Sequence, residues 1–114
     1  MIEWWVLLAA GALGGLGAVM RALLSPWRGL LPWGVLLANT LAAIGIGAAV
    51  GIGLEGAPLL LVAGGLAGGL STFSGVVKDC FDFYHRGRLT QMLANGLANL
   101  SVPAACLLAI SAIT

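Results

Sequence analysis

Three amide side chains recur at every fourth position late in the chain, at Gln91, Asn95 and Asn99. Residues four apart lie on one face of a helix, so these amides would form a polar stripe along it. The run from 89 to 114 contains no Asp, Glu, Lys or Arg and is long enough to cross a membrane. An amide in hydrocarbon needs a hydrogen-bond partner or a wet cavity. The stripe therefore predicts a water-filled pathway or a polar seam between subunits.

A second polar cluster interrupts another apolar run, between Gly64 and Gly75, where the sequence reads GGLAGGLSTFSG. Glycine lowers helix stability, and hydroxyl side chains offer the backbone other hydrogen-bond partners. We therefore expect the helix to break within this stretch. In a membrane, broken backbone is tolerated only where it is buried in protein or lines a polar cavity.

Two isolated polar residues stand in the first half of the chain. Asn39 lies in an apolar run, where a helix–helix hydrogen bond and a pore-lining donor are both open interpretations. Arg21 lies near the end of the first apolar run, either as an anchor at the membrane surface or as a charge that attracts anions.

Composition and charge placement indicate the elements that must position these groups. Of 114 residues, 61% are hydrophobic and only 8% are charged, far from the roughly 25% charged residues of soluble domains. Four runs without Asp, Glu, Lys or Arg are each about long enough to span a bilayer. They predict a single all-α integral membrane domain over residues 1–114, with the third helix broken at mid-membrane. The predicted transmembrane helices lie at about 4–24, 32–53, 59–84 and 89–113.

These motifs resemble those of the small four-helix fluoride channels, also called the camphor-resistance protein family. The resemblance covers nearly the whole chain and rests on three motifs in order: GGLGAVMR at 14–21, PWGVLLAN at 32–39 and GGLSTFS at 68–74. The third motif is the most specific, because glycine-rich backbone followed by Thr-Phe-Ser is rare within a membrane span.

The resemblance implies a passive fluoride channel in the cell membrane that exports the cytoplasmic anion and so confers fluoride resistance. It implies an antiparallel, dual-topology dimer with two pores along the subunit interface. It also implies a central structural Na⁺ ion, held by the backbone carbonyls of Gly68 and Ser71. Such a fixed cation would lower the cost of placing an anion at mid-membrane.

The resemblance also assigns the fluoride pathway. Asn39 matches a pore-lining amide, Phe73 a phenyl ring whose edge faces fluoride, and Arg21 a vestibule arginine. Asp79 takes the place of a family glutamate, and Val76 stands where a second phenylalanine is usual, a change that would alter or silence one pore. Fluoride holds its water strongly, so the pore must offer replacement donors. The predicted pathway residues are Arg21, Asn39, Ser71, Thr72, Phe73, Asn95 and Asn99.

Charges outside the helices bear on orientation and partners. Arg28, Arg86 and Arg88 all fall in the first and third loops, whereas the opposite side carries Glu3 and Glu55 and no basic residue. The positive-inside rule then predicts both basic loops in the cytoplasm and both termini outside. A homodimer inserted in both directions should show little bias, so a heterodimer with a homologous subunit is slightly favoured over a homodimer.

Other functional classes fit the sequence less well. A small multidrug-resistance exporter needs a carboxylate within the membrane, and no Asp or Glu lies inside the predicted helices before Asp79. A non-conducting membrane subunit would leave the amide stripe and the helix break unexplained. No nucleophile–base pair stands out, Cys80 and Cys106 lack metal-ligand spacing, and a net charge of +1 offers no surface for nucleic acid. We therefore predict a protein that is not an enzyme.

Overall fold

The computed structural model describes residues 3–114, and its regular structure is entirely helical. Within this part of the chain, four helical crossings are long and apolar enough to span a membrane, which confirms the predicted all-α architecture. The third crossing, Gly56–His85, is composite. The elements in chain order are α1 (Trp4–Leu24), α2 (Trp33–Gly51), α3 (Gly56–Leu59), a π-helical segment (Leu60–Ala67), α4 (Gly68–Leu70), α5 (Phe73–His85) and α6 (Leu89–Ile113).

Glycines set how closely the helices approach one another. A Cβ atom added at Gly17 of α1 would lie 2.3 Å from the carbonyl oxygen of Leu66, in the π-helical segment. One added at Gly47 of α2 would lie 2.6 Å from the carbonyl oxygen of Leu107, in α6. Contacts between small residues allow backbones to touch in lipid, where no hydrophobic force drives helices together. A Cβ atom added at Gly11 of α1 would meet nothing within 4 Å, so the glycines of α1 do not all pack within the chain.

The interior of the chain is small. Its buried cluster consists of Ala38 and Ala42 from α2 together with Ala67 and Leu70 from the third crossing. About half of the large apolar side chains are exposed instead, as lipid or a second subunit would require. The longest dimension is 49 Å, close to the roughly 40–45 Å of a bilayer with its headgroups.

The third crossing breaks at Ser71 and Thr72. Both residues adopt extended backbone, with ψ angles of 155° and 119°. The first half ends where the Ser71 N–H donates to the carbonyl of Ala67. The second half begins with Thr72 as its N-cap, since the Thr72 hydroxyl accepts from the N–H of Gly75 at 3.0 Å. The break expected between Gly64 and Gly75 therefore falls on the residues that can best stabilise a new helix start.

Candidate functional site

The helix break is held open by one side chain of α2. Asn39 accepts a hydrogen bond from the Thr72 N–H at 2.7 Å through Oδ1 and donates to the Thr72 carbonyl at 3.3 Å through Nδ2. The same amide replaces the peptide partners that a continuous helix would have supplied. Asn39 lies six residues after Trp33, about 9 Å into α2, and twelve residues before Gly51, about 18 Å from its other end. The break is thus well inside the helical bundle.

The amide stripe of α6 meets Asn39 at the same point. Asn39 donates to Oδ1 of Asn99 at 2.9 Å, and Asn99 donates to both the carbonyl and the Oδ1 of Asn95, at 2.9 and 3.0 Å. Asn95 is only 1% exposed and donates to the sulfur of Cys80 at 3.5 Å. Asn95 therefore acts behind Asn99 and fixes its orientation. Gln91, the third amide of the stripe, donates instead to the carbonyl of Leu30 in the first loop at 2.7 Å.

A cavity of about 310 Å³ opens beside this polar cluster. Phe73 projects from its edge with 84% of its surface exposed, so its ring has no covering neighbour within residues 3–114. Pro103 has no N–H to donate to the Asn99 carbonyl, which leaves that oxygen without its usual helical partner. The lining residues are Asn39, Ser71, Thr72, Phe73, Val76, Gly96, Asn99, Leu100 and Pro103.

The electrostatics of this cavity favour an anion near the start of α5. The first N–H groups of a helix lack intrahelical partners and form the positive end of its dipole. Hydroxyl groups add further donors. The hydroxyl oxygens of Thr72 and Ser74 lie 3.3 Å from each other, and Ser71 is exposed. Among the predicted pathway residues, Asn39, Ser71, Thr72, Phe73 and Asn99 are thus brought together around one cavity.

Arg21 lies apart from that cavity. Its Nε donates to the carbonyl of Gly69 at 3.3 Å, at the end of the first half of the broken crossing. A cation at the C-terminal end of a helix satisfies free carbonyls and complements the negative end of the dipole. In this conformation Arg21 supports the break rather than lining the cavity.

The carbonyls predicted to hold a cation lie on the outer face of the break. Gly68 and Ser71 are both exposed. In a continuous helix the Thr72 N–H would donate to the Gly68 carbonyl, but here it donates to Asn39. Ser71 lies in extended backbone, so its carbonyl belongs to neither helix. Both oxygens are therefore suited to a ligand or to a second subunit.

Sequence reasoning missed one contact that joins distant elements. Arg28, in the first loop, forms an ion pair with Asp79 of α5, with 3.1 Å between Nη2 and Oδ1. Asp79 is 6% exposed, whereas the Arg28 side chain is about half exposed. Arg28 was visible in the sequence only as a loop charge, because nothing local indicates a partner 51 residues away.

Comparisons with known proteins identify relatives over most of the chain. A family model described as "CrcB-like protein, Camphor Resistance (CrcB)" matches residues 8–112. The chain is 37% identical over 107 residues to a protein of Psychrobacter arcticus named "Fluoride-specific ion channel FluC", covering 86% of this chain and 84% of that one. A protein of the same name from Nitrobacter winogradskyi is 30% identical over 118 residues, covering 95% and 94%. One from Serratia proteamaculans is 36% identical over 104 residues, covering 83% and 82%.

Proposed function

We propose that this chain, which belongs to the family of CrcB-like camphor-resistance proteins, forms a passive fluoride-selective channel in the cell membrane. Four apolar crossings make it a multi-pass membrane protein, and members of the family are ion channels rather than enzymes. The observation that carries the proposal is the polar cluster of Asn39, Thr72 and Asn99, which lies beside a cavity at a helix break. Polar side chains such as these three are rare within membrane spans and typically mark the path of an ion or substrate.

The cavity offers the groups that an anion needs when it leaves water. Hydroxyl groups of Ser71 and Thr72 and the N-terminal end of α5 supply donors, and the edge of the Phe73 ring carries partial positive charge. These groups replace part of the hydration shell of the ion, as selectivity filters do. A passive pathway through them would let fluoride leave the cytoplasm down its gradient.

A structural Na⁺ ion fits the outer face of the break. Its ligands would be the carbonyls of Gly68 and Ser71, which are exposed and displaced from regular helical bonding. Unwound carbonyls of discontinuous helices are characteristic Na⁺ ligands in membrane proteins. Within residues 3–114, no group of three or more His, Cys, Asp or Glu side chains is placed to hold a metal, so backbone oxygens are the donors to consider. The bound cation would supply a fixed positive charge near the pathway.

The proposed channel is an antiparallel dimer. In one chain the cavity is open on the side of Phe73, and the proposed Na⁺ ligands lie on the surface, so a second subunit would complete both sites. The arginines of the first and third loops lie at one end of the bundle. Arg28 of the first loop contacts α5, and Leu30 of the same loop contacts α6, and the third loop joins these two helices. This charge bias supports cytoplasmic basic loops, external termini and pairing with a homologous subunit of opposite orientation. A homodimer is the alternative.

A drug exporter is the weaker alternative. Such an exporter exchanges protons through a membrane carboxylate, and the one buried carboxylate among residues 3–114, Asp79, is paired with Arg28. A non-conducting subunit would release no fluoride in a flux assay, whereas a channel would.

The proposal is tested by reconstituting the purified chain in liposomes loaded with fluoride and following efflux with an electrode. The chain is assayed alone and together with any homologue encoded beside it. We expect efflux in one of the two conditions and a drop of about tenfold or more in Asn39→Ala, because that variant loses all three bonds that hold the break.

Gln91→Ala is the matched control for Asn39→Ala. It also removes an amide, but from a side chain whose hydrogen bond goes to the first loop rather than to the cavity. Its efflux should stay close to that of the unmodified chain. Folded protein that releases no fluoride, alone or with its homologue, would overturn the channel assignment. Efflux only with the homologue would establish the heterodimer.

A further inference from the structure

A second cavity, lined mainly by charged side chains, lies beyond the polar cluster at the end of α5. Its volume is about 250 Å³. Three of its side chains are cationic and two are carboxylates, so its net formal charge is +1. The lining residues are Arg28, Lys78, Asp79, Asp82, Phe83 and Arg86. We refer to it as the charged cavity.

The charged cavity continues the line of the polar cavity along α5. Val76 lines the polar cavity, and Asp79, three residues later on the helix, lines the charged one. Residues three apart occupy the same helical face, about one turn from each other. The two cavities therefore lie against the same face of α5, with lining residues about one turn apart. The basic first and third loops are at this end.

Asp79 is an obstacle to an anion on that path unless its charge is neutralised. It is the one buried charged residue among residues 3–114. The Arg28 guanidinium lies 3.1 Å from it, and no other ion pair is formed in this part of the chain. With this pair neutral, Lys78 and Arg86 outweigh Asp82, and the cavity attracts anions. Without Arg28, the four charges that remain, two positive and two negative, would sum to zero, and the cavity would lose its net attraction for anions.

We propose that the charged cavity is the mouth through which the anion enters or leaves, and that Arg28 sets its charge by pairing with Asp79. This inference rests on the proposed channel function. Arg28 is a positioning residue for the pathway, since it acts through the carboxylate of Asp79. The first loop is thereby a functional part of the mouth, tied to α5 by the ion pair of Arg28 with Asp79.

The test measures initial fluoride efflux at low millimolar fluoride while an impermeant salt varies the ionic strength. Arg28→Gln should lower the rate about threefold at about 0.01 M ionic strength, as expected for one charge near a solvated path. The difference should vanish near 1 M, where the Debye length falls from about 30 Å to about 3 Å. The double variant Arg28→Gln/Asp79→Asn should recover the original rate, because it restores the balance of charge.

Two further variants separate this electrostatic role from a structural one. Arg88→Gln removes the same charge from the same end of the chain but outside the charged cavity, and it should lower the rate clearly less than Arg28→Gln does. Asp79→Asn alone removes the buried carboxylate, so no buried charge is left without a partner. It should raise the rate about threefold at low ionic strength. This second variant keeps the test informative if Arg28→Gln does not fold.

The outcomes distinguish the two levels of the proposal. An unmodified protein without efflux would refute the channel itself. An active channel in which Asp79→Asn has no effect would overturn the role of the charged cavity. A loss in Arg28→Gln that is equal at every ionic strength and is not reversed by Asp79→Asn would show that Arg28 merely holds the fold. An equal loss in Arg88→Gln would show a general surface effect and would equally overturn the inference.

Discussion

The contact between α1 and the turn before the break provides a direct test of how the fold sets the site. Gly17 faces the last residues of the first half, and a Cβ atom there would lie 2.3 Å from the Leu66 carbonyl oxygen and 2.7 Å from the Leu70 nitrogen. Both atoms belong to backbone, so no side-chain rotation relieves the clash. Gly17→Ala must therefore push the two helices apart by about 1 Å, because packed interiors leave no spare volume.

The cost follows from two opposing effects. Overpacking of a tight contact costs about 1–3 kcal/mol. Alanine returns about 1 kcal/mol, since glycine is the poorer helix former. We therefore expect Gly17→Ala to lower the free energy of unfolding by up to about 2 kcal/mol. Gly11→Ala is the matched control on the same helix, because its Cβ atom meets nothing within 4 Å and only the gain in helix stability remains.

The assay combines unfolding with flux. Reversible unfolding in mixed detergent, followed by circular dichroism, should separate the two variants by about 1–3 kcal/mol, the cost of overpacking alone. Fluoride efflux should fall in Gly17→Ala and stay near that of the unmodified chain in Gly11→Ala, since only the first displaces the backbone that ends at Ser71. Equal stability and equal efflux in the two variants would refute the argument that close approach at Gly17 positions the break.

Two further variants probe the break itself. Thr72→Val removes the hydroxyl that caps α5, and it should cost about 1 kcal/mol of stability and most of the efflux. Thr72→Ser keeps the hydroxyl and should retain both stability and efflux. Equal unfolding curves for the two variants would contradict the capping role. Phe73→Leu should change the stability of the single chain by less than about 0.5 kcal/mol, because the ring is 84% exposed there. Efflux should nevertheless fall about tenfold through loss of the ring edge, and undiminished efflux would remove Phe73 from the pathway.

Much of this architecture follows from local features of the sequence. Runs without charge predict the four crossings, because only apolar helices satisfy their own backbone in hydrocarbon. The cluster of glycine and hydroxyl residues predicts a break between Gly64 and Gly75, and the structure has it at Ser71 and Thr72. Four-residue spacing also places Asn95 and Asn99 on one face, where they form two hydrogen bonds.

Features set by tertiary contacts were not predictable in the same way. The π-helical segment Leu60–Ala67 has an ordinary apolar composition, and its wider turns lie in the crossing packed against α1. The direction of Arg21 toward Gly69 and the pairing of Arg28 with Asp79 join residues 48 and 51 positions apart. Such partners depend on which helices become neighbours, and a single sequence carries no local signal for that choice.

The hydrogen bonds already formed at the break determine which groups remain free to meet an anion first. Both amide hydrogens of Asn39 are engaged, with the Thr72 carbonyl and with Asn99, and both of Asn99 are directed to Asn95. The longer bond, 3.3 Å from Asn39 to the Thr72 carbonyl, is the one that an anion displaces at least cost. The Thr72 oxygen can keep its bond from the Gly75 N–H while its proton points into the cavity, and the exposed Ser71 hydroxyl can turn toward it. In the proposed channel the hydroxyls are therefore the first replacement for the water of the ion, and the amides fix where those hydroxyls stand.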